Sequence, residues 1–303
     1  MKVIPSNKVI YKFKYDLDYV ERISPGEVIE VETNDCFFQQ IFDETQVLTE
    51  IDYDMLNPAT GPVYVEGAEP GDLLQVKIIS IDVEDKGIAA VVPGEGVLGD
   101  QVTKPIIRVI HVKDGCAVFH GVKLPIQPMI GVIGVAPKKE DGEWATDSPW
   151  KHGGNMDTKD IKAGSTLYFP VNQRGALLAL GDCHAIMGDG EICFTGLEIP
   201  AKVTLEINLI KDKNIKWPLV ETDEYTMVIA SGDDLEDAVY EATSQAVGHI
   251  KDSLKIEWED AYVLASLAVD LKISQVVDPK MTVRAAIPKY VVSTEKLIED
   301  LTK

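Results

Sequence analysis

The sequence predicts a mainly β fold with an α+β segment at its C-terminal end. Three observations lead there. First, the segments SPGEVIEVET (24–33), EPGDLLQVKIIS (69–80) and KAGSTLYFPV (162–171) each place a Gly ahead of an alternating apolar run. Alternation after a turn residue is the pattern of half-buried antiparallel strands in a sandwich or barrel. Second, residues 1–220 are punctuated throughout by Gly and Pro. Third, the spacing turns helical near residue 221. The three Gly-led segments share strand grammar only. Nothing recurs at a fixed period, so they are not an internal repeat.

Between the strands, VVPGEGVLGD (91–100) and KKEDGEWATDSPWKHGGNMD (138–157) read as long loops. Loops of that length inside a compact domain are uncommon and often functional, although a plain surface connection explains either one as well. The second ends in His-Gly-Gly-Asn-Met-Asp, whose glycines permit close backbone approach to a ligand. Past residue 221, Asp233 as cap and Glu236 three residues on fit a helix start. Leu235, Ala238, Val239, Ala242, Ala246 and Ile250 then keep helical spacing, which predicts a helix over 234–252. His249 lies beside that stripe and reads as structural. A second helix is predicted from Glu257 to Leu271, with Trp258, Ala261, Tyr262, Ala265 and Ala268 on one side. The segments 273–278 and 282–292 read as strands, and a short helix follows from Ser293.

Composition narrows the function classes. With 303 residues and 45% of them hydrophobic, the chain can bury a large core in one or two domains. A formal net charge of −21 repels phosphate backbones and anionic membranes, so neither nucleic acid nor a membrane is an expected partner. No apolar run reaches the ~20 residues of a spanning helix, and the N-terminal stretch lacks the continuous apolar segment of a signal peptide. Cys36, Cys116, Cys183 and Cys193 form neither a CxxC nor a dense framework, as in a reduced cytoplasmic protein.

The stretch Ala176–Pro200 carries the most chemistry. Two apolar runs flank Met-Gly-Asp-Gly, and this predicts a β-hairpin. If the loop is Met187–Gly190, His184 faces Cys193. Asp182, His184, Glu191, Cys193 and Thr195 then share one face, because side chains alternate with period two. Two carboxylates and an imidazole on one patch suit zinc or a hard metal. A slip of one residue would move Glu191 to the other face. Gly and Asp are also ordinary loop residues, so the hairpin alone does not establish a site.

Seven stretches together resemble the acetamidase/formamidase family. They are ETNDCF (32–37), TGPVYVEGAEPGDLLQVKI (60–78), IGVAP (133–137), HGGNMD (152–157), GSTLYFPV (164–171), GDCHAIMGDGEICFTGLE (181–198) and SQVVDP (274–279). The resemblance runs over nearly the whole chain in the family's order. It implies hydrolysis of short aliphatic amides such as formamide and acetamide. It also implies a jelly-roll-like sandwich body (1–62 and 141–220), a smaller β-barrel-like part (63–140) and a C-terminal α+β segment (221–303). It further implies a divalent metal and a homo-oligomer.

Amide hydrolysis needs a nucleophile, oxyanion stabilisation and an acid for the leaving nitrogen, and a metal supplies the first two. The expected ligands are His184, Asp182, Asp157 and Asp35, with zinc as the first choice and calcium as the alternative. Glu191 is the expected general base and then acid, with Glu66 in reserve. The backbone N–H groups of Gly153 and Gly154 are the expected oxyanion donors. Each acid has an ordinary alternative: Asp35 and Asp157 as turn caps, Glu66 as a solvated hairpin residue. His111 and His120 read as structural. Two rivals remain. One is a Cys183 nucleophile, disfavoured because Cys183 and His184 point to opposite faces of a strand. The other is a protein that binds a small amide or a metal without turnover.

Overall fold

The computed structural model describes residues 1–46 and 48–301. The three Gly-led segments become the strands Glu27–Thr33, Leu73–Val83 and Thr166–Pro170. All three enter one nine-stranded sheet. Its spatial order is Lys2–Ile4, Glu27–Thr33, Ala201–Ile210, Leu73–Val83, Thr166–Pro170, Leu219–Glu221, Tyr225–Gly232, Met281–Pro288, Asp270–Gln275. The first pairing is parallel, and the others are antiparallel.

A six-stranded sheet lies against it, in the order Gly153–Asn155, Met129–Gly134, Leu178–His184, Ala59–Val65, Val9–Ile10, with Glu21–Ile23 paired alongside Ala59–Val65. Val31, Val76, Ile78, Leu167, Phe169 and Val203 of the large sheet pack on Val63, Ile130, Ile133, Leu178 and Leu180 of the smaller one. Burying such a side chain contributes about 1.5–3 kcal/mol, so this contact fixes the spacing of the two sheets. The architecture is therefore mainly β, as the sequence predicts.

A four-stranded sheet joins Lys86–Val91, Ile106–Lys113, Cys116–Phe119 and Val122–Pro125. Its Ile88, Ala90 and Ile107 pack on Cys36, Phe37, Ile41 and Leu48. His120 sits at φ +48° in the tight turn before Gly121, and His111 lies on a strand; both are exposed.

The expected boundaries at 62/63 and 220/221 fall inside the strands Ala59–Val65 and Leu219–Glu221. The C-terminal strands extend the large sheet, because Tyr225–Gly232 pairs with both Leu219–Glu221 and Met281–Pro288. The change from strand to helix spacing in the sequence marks a helical layer added to the body sheet.

That layer begins with α1 (Leu235–Leu254). Ala238, Ala242, Ala246, Val247 and Ile250 bury against Val228, Ala230, Val283 and Ala285. Its cap is Asp234, one residue beyond the predicted Asp233: the Asp234 carboxylate accepts the Asp237 N–H at 2.9 Å. Asp233 instead pairs with Lys280. The next helix, α2 (Trp258–Ala268), stops three residues short of the prediction, because Asp270–Gln275 is recruited as the sheet edge. Its Ala261 and Ala265 are buried, while Trp258 and Tyr262 stay about half exposed. The sequence places the start of the last helix at Ser293, which is the N-cap of α3 (Thr294–Asp300). Among the described residues no helix is long and apolar enough to cross a membrane.

The cap assignment is testable by urea unfolding. Asp234→Ala should lose about 1 kcal/mol, and Asp233→Ala about 0.5 kcal/mol or less. Equal losses would return the cap to Asp233.

Candidate active site

The strand Leu178–His184 runs through the middle of the six-stranded sheet, beside Met129–Gly134. Leu178 and Leu180 point into the main core. Asp182 then adopts φ +51°, and the alternation flips, so that Cys183 takes the next core position. Asp182 and His184 are left together on the opposite face. Gly131 stands across from Asp182, and a Cβ there would meet Asp157 Oδ1 at 2.4 Å and Asp182 Oδ2 at 2.7 Å. The glycine is the space the two carboxylates occupy.

Asp157 follows the strand Gly153–Asn155, at φ +38°. The Met156 N–H, donating to Gly131 O at 3.1 Å, ties it to the same point of the sheet. Glu191 sits at φ +48° in the loop after His184. That loop is held by the Gly190 N–H donating to Ser274 O at 2.8 Å. Positive φ in a non-glycine residue costs on the order of 1 kcal/mol, and three of the site's acids adopt it. Glu198 closes the loop. Its N–H and C=O bond Ile88 of the four-stranded sheet, both at 2.8 Å.

The predicted hairpin is thus a wider excursion. His184 pairs with Glu198, not with Cys193, and Cys193 is exposed. The long loop returns Glu191 to the same face regardless.

Four carboxylates surround one imidazole nitrogen. From His184 Nε2 the distances are 3.2 Å to Glu198, 3.5 Å to Asp182, 3.8 Å to Asp157 and 3.9 Å to Glu191. All five residues are buried. Asp182, Glu191 and Glu198 open onto a cavity of about 380 Å³, which Asp278, Asn155 and Cys36 also line. Burial pushes Asp157 up to about 6 and Glu198 up to about 8, with the Asp182 charge adding to both. Burial and then the Asp157 charge push Glu191 and Asp278 well above the usual carboxylate range. Burial opposes the charged forms of Asp182 and His184 too, but each stabilises the other. His184 is held well above the usual imidazole value by Glu198 and Asp182, and Asp182 below its own by His184.

Both Asp157 oxygens, Asp182 Oδ1 and Glu198 Oε2 make no hydrogen bond among the described residues. Buried polar atoms are nearly always satisfied, so such a group points to an ion or a catalytic role. Nitrogen and oxygen donors in this mix are those of a divalent cation site. One oxygen each of Asp157 and Glu191 and a nitrogen of His184 lie within 4.8 Å of one another, close enough to share an ion.

Of the residues the sequence singled out, Asp157, Asp182, His184 and Glu191 come together. Asp35 is buried nearby, but its Oδ1 accepts the N–H groups of Phe37 at 3.1 Å and Gln39 at 2.7 Å. It shapes a turn, and its neighbour Cys36 reaches the cavity. Glu66 is exposed and paired with Arg22 at 3.7 Å, outside the site. The Ala59 end of its strand faces Gly181, and Glu66 lies beyond the other end, roughly 23 Å away along a strand.

The N–H groups of Gly153 and Gly154, the expected oxyanion donors, are engaged with the protein backbone. The Gly153 N–H donates to Trp150 O at 2.9 Å, and Gly154 pairs with Ile133. Their close approach is to protein backbone: an added Cβ would meet Ile133 O or Ser148 O at 2.3 Å. Cys183 is sealed in the core, where burial pushes its thiol up to about 12. Sequence reasoning missed Glu198, Asp278 and Cys36, although each lies in a quoted stretch. Glu198 follows from the His184 pairing, which a short-loop hairpin conceals.

One buried cation supports the site from behind. Arg284 is fully buried and donates to Asp160 at 2.7 Å, Asp189 at 2.7 Å and Ile273 O at 2.9 Å. These partners lie beside Asp157, Glu191 and the 276–279 turn, so one guanidinium links three segments that supply the acids.

A model of the acetamidase/formamidase family matches residues 5–147 and 141–294. The formamidase of Methylophilus methylotrophus is 29% identical over 262 residues, covering 65% of this chain and 63% of that protein. The chain thus matches less than two thirds of the length of its curated relatives. The structure of a recombinant predicted acetamidase/formamidase from the thermophile Thermoanaerobacter tengcongensis is similar at TM-score 0.94 and 42% identity, over 98% of each chain. An acetamidase structure from Bacillus halodurans is similar at TM-score 0.93 and 41% identity, over 97% of this chain and 99% of that one.

Two substitutions test how the site is built. Gly131→Ala must displace Asp157 or Asp182 and should cost about 1–3 kcal/mol in denaturant unfolding. Arg284→Met strands Asp160, while Asp189 keeps Lys159 at 3.0 Å, and should cost on the order of 3 kcal/mol. Wild-type stability in the first would mean the two carboxylates are free to move. In the second it would mean solvent already satisfies Asp160.

Proposed function

The chain belongs to the acetamidase/formamidase family, and we propose that it hydrolyses short aliphatic amides, formamide and acetamide among them, to a carboxylate and ammonia. The observation that carries this reading is the buried group of Asp157, Asp182, Glu191 and Glu198 around His184 Nε2, with carboxylate oxygens that accept no hydrogen bond among the described residues. We assign a divalent cation to Asp157, Asp182 and His184. Zinc is preferred over calcium because imidazole is a zinc donor and a poor calcium one. When bound, such a cation polarises the amide carbonyl and acidifies water.

The chain's own groups do the rest. Glu191 accepts the proton of the attacking water and returns it to the leaving nitrogen. Burial raises its pKa, which favours its holding the proton that it passes to the leaving nitrogen. Asn155 lines the cavity with a buried Oδ1 that has no hydrogen-bond partner among the described residues. That oxygen accepts an N–H of the substrate's carboxamide. Phe37, Leu56 and Phe194 form the apolar part of the wall and accommodate a short acyl group.

The reading extends to a cytoplasmic homo-oligomer. All four cysteines are free, in keeping with a reducing compartment. The exposed Trp258, Tyr262 and Leu267 of α2, next to the edge strand Asp270–Gln275, offer an apolar face for a second copy.

Ammonia release from formamide and acetamide is the direct test. A chelator should abolish it and zinc should restore it, whereas Cys183→Ala should keep it. Glu191→Gln should keep its metal by elemental analysis and lose about 10²–10⁴-fold in kcat. Unchanged turnover would remove Glu191 from its role. No release from either amide by the metal-loaded protein would leave the binding-only alternative.

A further inference from the structure

Beside the donors assigned above lies a second group. Cys36 Sγ and one oxygen each of Asp182 and Glu198 lie within 4.8 Å of one another, separate from the group of Asp157, His184 and Glu191. Cys36 is 9% exposed, Asp182 3% and Glu198 2%. Asp182 Oδ1 and Glu198 Oε2 accept no hydrogen bond among the described residues, although both lie within ion-pair distance of His184 Nε2.

Cys36 is held in place before any ligand arrives. Asp35 braces its turn through the Phe37 and Gln39 N–H groups, and the Asn57 N–H donates to Cys36 O at 2.8 Å. The wall of the same cavity is acidic: Asp182, Glu191, Glu198 and Asp278 line it, and Arg284 is committed to Asp160 and Asp189. Paired cations that share a carboxylate are a common arrangement in amide and ester hydrolysis, and Asp182 has an oxygen for each.

We infer that Cys36, Asp182 and Glu198 form a second cation position, next to the one proposed above, for a thiophilic divalent ion such as zinc or cobalt(II). This rests on the reading of the first position. A sulfur donor with two carboxylates selects borderline ions over calcium and magnesium. Binding would expel the thiol proton to solvent as the thiolate–metal bond forms.

The test is cobalt(II) titration of the chelator-stripped full-length protein, followed by absorption and elemental analysis. About two cobalt ions per chain and a near-ultraviolet thiolate-to-cobalt band are expected. Cys36→Ser should lose the band and bind about one ion, while Cys193→Ser should keep the band. His184→Ala should weaken the first position and leave the band in place. About one ion per chain with no thiolate band would overturn the second position and leave the first intact. No bound cobalt would overturn both. If Cys36→Ser fails to fold by circular dichroism, alkylation mapping of the wild type decides: cobalt should protect Cys36 from the alkylator at least tenfold, and equal labelling with and without cobalt would overturn the inference.

Discussion

Several carboxyl groups are buried around a single imidazole, on a face of the sheet that solvent barely reaches. A charge taken out of water is tolerated only when it is paired, protonated or bound to an ion. His184 stabilises the charge of Asp182, and burial shifts Glu191, Glu198 and Asp278 toward holding a proton more readily than an exposed carboxyl does. The surrounding structure can be understood as the means of keeping that arrangement closed. Gly131 leaves room for two of the carboxylates, and the positive φ of Asp182 swings its side chain out of the hydrophobic core.

The support comes from packing and from a second, satisfied set of charges. The sandwich core holds the strand Leu178–His184 from below through Leu178, Leu180 and Cys183. Ile88 of the four-stranded sheet fixes Glu198 by two backbone bonds. Arg284, with its own acids Asp160 and Asp189, ties together the loops on the remaining side. The two sets of acids differ in kind. Those around Arg284 have their counter-charge within the protein, whereas those around His184 have more negative charge than the chain itself can answer. That imbalance is what a reactive centre needs, since a fully paired network has nothing left to offer a ligand.

The same logic separates acids that look alike in the sequence. Asp35, Glu66 and Glu198 all sit in motif-like stretches. Asp35 spends its carboxylate on two backbone N–H groups, and Glu66 faces solvent beside Arg22. Only Glu198 keeps an oxygen aimed at the imidazole. Residue type alone does not make this distinction, because it depends on which backbone groups lie within reach once the chain has folded.

Local signals were enough for much of the molecule. Alternation after Gly marked Glu27–Thr33, Leu73–Val83 and Thr166–Pro170, and helical spacing marked α1, because both patterns reflect one buried face. Period-two alternation also put Asp182 and His184 on one side, and the local flip at Asp182 preserved that. Other features needed the tertiary structure. The length of the loop between His184 and Glu198, the early end of α2 and the neighbourhood of Cys36 and Asp278 all depend on partners far away in the chain. A strand's register, and the point where a helix yields to a sheet edge, are settled by long-range hydrogen bonds and packing. The sequence by itself determined which chemical groups were available; only the assembled sheets decided which of them meet, since burial and pairing belong to the whole fold.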